Sequence, residues 1–83
     1  MRIKILSSAV DDLHAGRLFY EAQGEGLGEY FFDSLFSDID ALVLYAGIHQ
    51  KVFEYYRLLS KRFPYAVYYK IDENLVVVAL DRG

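Results

Sequence analysis

The spacing of apolar positions changes period along this chain, and each change marks an element. Arg2-Ile3-Lys4-Ile5-Leu6 alternates, with Ile3 and Ile5 on one side and Arg2, Lys4 and Leu6 on the other. That predicts a short strand with one buried face. Ala9, Leu13, Gly16 and Tyr20 then recur at helical spacing, with Val10 alongside. A helix is predicted from near Ala9 to a stop at Gly24. Ser8-Ala9-Val10-Asp11 fits a capping box with Asp in place of the usual Glu, and Asp11 and Asp12 suit the positive end of a helix dipole. A second helix is predicted from about Leu27 to Ala46. Leu27, Phe31, Leu35, Ile39 and Leu42 form its stripe, widened by Phe32, Phe36, Val43 and Ala46, and Gly47 ends it. The short link Gly24-Glu25-Gly26-Leu27-Gly28 makes the two helices an antiparallel hairpin.

The last third turns to strand formers. Val52 to Ser60, Tyr65 to Asp72 and Leu75 to Leu80 are rich in Val, Ile, Tyr and Phe. Lys61-Arg62-Phe63-Pro64 and Asp72-Glu73-Asn74 separate them, each short enough for a hairpin. The predicted fold is α+β, in the order β-α-α-β-β-β: a helical hairpin packed on a small, mainly antiparallel sheet. Residues 1–83 form a single domain. In Leu75-Val76-Val77-Val78-Ala79-Leu80 both sheet faces are apolar, and the helical hairpin can cover only one. Val76, Val78 and Leu80 are therefore candidate partner-binding residues, for another chain or a second copy.

Length and composition narrow the class. With 83 residues, the domain buries only about 60–65% of the surface its unfolded chain exposes. An apolar content of 54% and an aromatic content of 17% exclude disorder. Without cysteine there is no disulfide, thiolate site or thiol nucleophile, and a reducing cytoplasm is the expected location. The first apolar run is too short for a signal peptide or a membrane span. A net charge of −3 argues against strong direct nucleic-acid binding, although Arg57, Lys61 and Arg62 form a local basic cluster.

Candidate chemistry is sparse. The glycine cluster is not a phosphate loop: no strand precedes it and no Lys-Ser/Thr follows. His14 and His49 lack a partner at useful spacing and read as surface residues. Asp33, Asp38 and Asp40 read as the solvated face of the second helix. No cofactor and no metal is expected. Tyr55, Tyr56, Tyr65, Tyr68 and Tyr69 lie in strands with Arg57, Arg62 and Lys70 among them. Such residues either pack a half-buried sheet or form a recognition surface. Arg57 alternates with Phe53, Tyr55 and Leu59, so it projects from an apolar strand face and is paired, snorkelling or functional.

The run Tyr56-Arg57-Leu58-Leu59-Ser60-Lys61-Arg62-Phe63-Pro64-Tyr65-Ala66-Val67-Tyr68-Tyr69-Lys70-Ile71 resembles the core of the RelE/ParE toxins, often called plasmid-stabilisation proteins. Upstream, Asp12-Leu13, Phe19-Tyr20 and Gly26 to Gly28 agree with the same pattern, so the resemblance covers most of the chain. It implies the β-α-α-β-β-β fold and a cognate antitoxin that folds on the toxin as it binds. Two activities are known in the family. RelE-type members cleave messenger RNA on the ribosome with basic residues of the sheet and a C-terminal Arg and Tyr. ParE-type members lack that set and act on DNA gyrase.

Arg57 falls near one basic RelE-type position, but Leu59 and Ala66 stand where others are basic. RNA cleavage without a metal needs charge on the phosphorane and a proton donor or acceptor. The ParE branch is therefore favoured, as a toxin of a type II toxin–antitoxin system that works by binding. The alternatives are a RelE-like endoribonuclease and a shortened, non-toxic member that retains antitoxin binding or self-association, since the sequence ends at Asp81-Arg82-Gly83 without the family's Arg-Arg-Asp-Pro-like continuation. Arg57, Lys61 and Arg62 are the weak catalytic candidates. Arg57, Arg62, Tyr56, Tyr68 and Arg82 are the candidates for target binding. The candidate partners are the antitoxin, gyrase or the ribosome, and a second copy of the chain.

Overall fold

The computed structural model describes residues 1–82, with side chains through Asp81. Its elements are β1 (Arg2–Ile5), α1 (Ser7–Glu21), α2 (Leu27–Asp40), α3 (Leu42–Tyr45), β2 (Lys51–Val52), β3 (Tyr55–Leu59), β4 (Tyr65–Asp72) and β5 (Leu75–Arg82). The strands form one sheet in the order β1-β5-β4-β3-β2. β1 runs parallel to β5, and the other pairs are antiparallel. The fold is α+β, two helices on a five-stranded mixed sheet, and the expected order of strands and helices holds.

Both helix stripes point at the sheet. Ala9, Leu13 and Gly16 of α1 and Phe31, Leu35 and Ile39 of α2 are buried, together with Leu42 of α3. They pack against Val67 and Tyr69 of β4 and Val76 and Val78 of β5, none of which has accessible surface. At one end of the core an aromatic cluster joins the layers. Phe63, from the loop between β3 and β4, meets Tyr20, Tyr30 and Phe31 with ring centroids 4.8, 5.6 and 5.0 Å away. Edge-on packing of this kind adds about 0.5–1.5 kcal/mol per pair beyond burial.

The hairpin of α1 and α2 is tied by Glu21, whose carboxylate accepts hydrogen bonds from the Gly26 and Gly28 amides at 3.1 and 3.0 Å. One side chain of α1 thus serves amides that the start of α2 leaves without helical partners. Gly28 is required by closeness: a Cβ there would stand 2.4 Å from the Arg17 carbonyl oxygen.

Several boundaries differ from the sequence expectation. α1 begins at Ser7 behind Leu6, with no side-chain cap, so the capping box at Ser8 does not form. The second helix is interrupted at Ala41 and ends at Tyr45. The strand expected from Val52 to Ser60 is two strands, because the chain reverses at Phe53 and Glu54. Phe53 takes a left-handed φ of 58° there, a conformation that is costly for a bulky residue.

Val76 and Val78 correct the expected partner surface. The register puts both on the helix-covered side, where the core encloses them, and Leu80 is partly buried against the same core. The other side of β5 presents Leu75, Val77 and Ala79, which are half-buried.

Candidate functional site

The uncovered face of the sheet gathers the alternate residues of each strand. Cross-strand pairing places Arg57 opposite Tyr68, and Tyr68 opposite Ala79. Lys70 lies opposite Val77, and Val77 opposite Lys4. Cations sit over rings along this face. The Arg57 guanidinium lies 5.9 Å from the Tyr68 ring centroid, and the Lys70 ammonium lies 4.6 Å from that of Tyr55. Lys70 also reaches the Glu54 carboxylate at 3.3 Å, and this bond, helped by Tyr55, raises the ammonium pKa above its ordinary value. The surface is basic and aromatic, with Arg2 and Lys4 at its β1 edge.

The structure divides the residues singled out in the sequence. Arg57 and Tyr68 form one cross-strand pair on the open face. Tyr56 lies on the helix side, stacked on Tyr69 with ring centroids 5.1 Å apart and with the Lys51 ammonium over its ring. Lys61 and Arg62 leave the open face altogether. Phe63 draws their loop onto the helical layer, so Arg62 lies over the Tyr30 ring of α2 at 5.6 Å. With Ser34, Ser37, Asp38 and Ser60, Lys61 and Arg62 line a small cavity between that loop and α2. The three basic residues that are near neighbours in sequence are therefore not one cluster. The side chain of Arg82 lies outside the described residues. His14 is exposed beside Phe32. Among the described residues no three His, Cys, Asp or Glu side chains converge as a metal site, and no helix is long and apolar enough to cross a membrane.

Two features carried no clear sequence signal. The first is Tyr69, fully buried, whose hydroxyl accepts from the Gly47 amide at 3.0 Å and bonds His49 Nδ1. Burial raises the Tyr69 phenol above its ordinary pKa, against the opposing pull of its bonds to the Gly47–His49 segment. His49, expected on the surface, is half-buried and pins the connector after α3 to the core. The second is a set of exposed apolar side chains on α3, on the connector after it and at the β2–β3 turn. Leu44, Ile48 and Phe53 are 78%, 74% and 97% exposed, and Val43 and Tyr45 flank them.

Charge separates along the chain. Residues 7–50 hold eight Asp and Glu against Arg17 alone, whereas the strands and their loops hold eight Lys and Arg against Glu54, Asp72, Glu73 and Asp81.

No family model and no curated protein matches the sequence. The architecture does match a solved structure, described as the "Chromosomal ParDE TA system from P. aeruginosa". The two superpose with a TM-score of 0.88 over 99% of this chain and 95% of the matched chain, at 19% sequence identity. The fold is thus of the ParE-like kind that the sequence pattern resembles.

Proposed function

We propose that this chain is the toxin of a type II toxin–antitoxin pair, ParE-like in action: it binds a cellular target such as DNA gyrase, and a cognate antitoxin neutralises it. The observation that carries the reading is the likeness over nearly the whole chain to a ParDE system structure. The division of the basic residues agrees with it. Arg57 lies on one side of the sheet and Lys61 and Arg62 on the other, so they do not form the convergent set that phosphodiester cleavage needs. Arg57 and Tyr68, with Lys70 and Tyr55 beside them, are the target-binding group in this reading.

The antitoxin is assigned to the β2 edge of the sheet, where Phe53 is an exposed apolar side chain. β2 is an edge strand, and a free edge can pair with an incoming extended segment. Induced expression should slow growth, and purified protein should alter gyrase-mediated supercoiling, both relieved by the antitoxin. Neither effect, or cleavage of ribosome-bound message that is lost in Arg57→Ala, would overturn the assignment to the ParE branch.

A further inference from the structure

The cavity between α2 and the β3–β4 loop has a composition of its own. Ser34, Ser37 and Asp38 come from one face of α2, and Ser60, Lys61 and Arg62 come from the loop. The lining residues carry three hydroxyls, two cations and a single carboxylate. The volume open to a water-sized centre is about 50 Å³, several times the roughly 10–15 Å³ that one water requires.

Three observations indicate what it holds. First, Ser60 Oγ is buried and has no hydrogen-bond partner among the described residues. A buried hydroxyl without a partner costs about 1–3 kcal/mol, so a group that bonds it is favoured. Second, neither Lys61 nor Arg62 forms an ion pair among the described residues, although Asp38 lines the same cavity. Third, Lys61, Arg62 and Phe63 have main-chain amides that donate to no main-chain carbonyl among the described residues. A metal cation is disfavoured by two neighbouring positive side chains. An apolar ligand would leave the hydroxyls unsatisfied. A compact oxyanion accepts from every donor present, and its bonds to Lys and Arg are charge-assisted.

We propose that this cavity is a binding site for a phosphoryl group, with Ser60, Lys61 and Arg62 as its principal donors and Ser34 and Ser37 completing it from α2. Asp38 weakens the site electrostatically. The inference is independent of the toxin reading: the site lies on the helix side of the sheet, away from Arg57 and Tyr68, and its failure would leave that reading untouched.

Titration of the labelled chain by ¹H–¹⁵N NMR tests the proposal, with inorganic phosphate and with dimethyl phosphate, each against chloride at matched ionic strength. Saturable shifts are expected at the amides of Ser34, Ser37 and residues 60–63. Lys61→Ala should weaken binding roughly tenfold, the loss of one charge-assisted bond, and Asp38→Asn should tighten it. Ser60→Ala should weaken binding without lowering the thermal midpoint, since its hydroxyl has no partner to lose. Binding of both anions assigns the site to a phosphodiester such as a nucleic-acid backbone. Binding of inorganic phosphate alone assigns it to the free ion or a monoester. Shifts no larger than those in chloride, or shifts unchanged in both Ser60→Ala and Lys61→Ala, overturn the proposal.

Discussion

Val78 and Val77 are the same side chain one position apart on β5, and they meet opposite surroundings. Val78 is sealed beneath α1 and α2 with no accessible surface, while Val77 looks out from a half-buried face between Lys70 and Lys4. The covered face is mostly apolar and buried. The open face carries cations and rings beside half-buried Leu75, Val77 and Ala79. In the proposed function one sheet divides the work, with stability on the covered side and target binding on the other. Core side chains carry most of the folding free energy, whereas exposed groups carry binding.

Substitutions on the two faces should separate these roles. Phe31→Ala, at the centre of the aromatic cluster, should cost about 3–5 kcal/mol in denaturant unfolding and leave no folded chain with which to test binding. Gly28→Ala should cost about 1–3 kcal/mol, because its new methyl group meets the Arg17 carbonyl and the helices must part. A Gly28→Ala variant as stable as the parent would show that the hairpin is looser than it looks.

Tyr69→Phe removes a hydroxyl that serves Gly47 and His49, and a loss of about 1–2 kcal/mol is expected. Its pH dependence has a definite sign. The folded-state pKa is raised, so Tyr69 contributes stability that is full below the unfolded phenol pKa near 10 and is lost as pH rises through the folded value. Unfolding free energies of parent and Tyr69→Phe should therefore converge on the alkaline side; parallel curves there would remove Tyr69 from the account.

The smallest effects should fall on exposed groups. Phe53→Gly relieves a left-handed backbone at a fully exposed site. It should raise stability by about 0.5–1 kcal/mol while weakening antitoxin binding in calorimetry, a trade expected of a residue kept for contact. Arg57→Ala should change stability by no more than about 0.5 kcal/mol, and Tyr68→Ala, at a half-buried site, by about 1 kcal/mol, yet both should reduce target binding. A large stability loss in either would make the open face structural.

The periodicities that specify this fold are strong where one face alone is apolar. The stripe Phe31, Leu35, Ile39 and Leu42 reads directly as a buried helix face and is one. Leu75 to Leu80 carries no alternation, so which of its faces the helices cover depends on register with β4, a long-range property. The reversal at Phe53 lacks a turn-forming residue at the position that needs one, and local chemistry predicts strand there. The candidate site divides on the same ground. Arg57 and Tyr68 are recognisable by alternation, but Lys61 and Arg62 change sides because Phe63 is drawn into an aromatic cluster assembled from three elements.

The separation of charge along the chain has a consequence at long range. A chain of net charge −3 would ordinarily be repelled by a polyanion. Here the acids belong mostly to residues 7–50 and the bases mostly to the strands and their loops, so the charge is unevenly spread. A negatively charged partner would be drawn to the strands and their loops over distances comparable with the Debye length, about 8–10 Å at moderate salt. The encounter rate should then fall as salt is added, even though the average charge predicts the opposite.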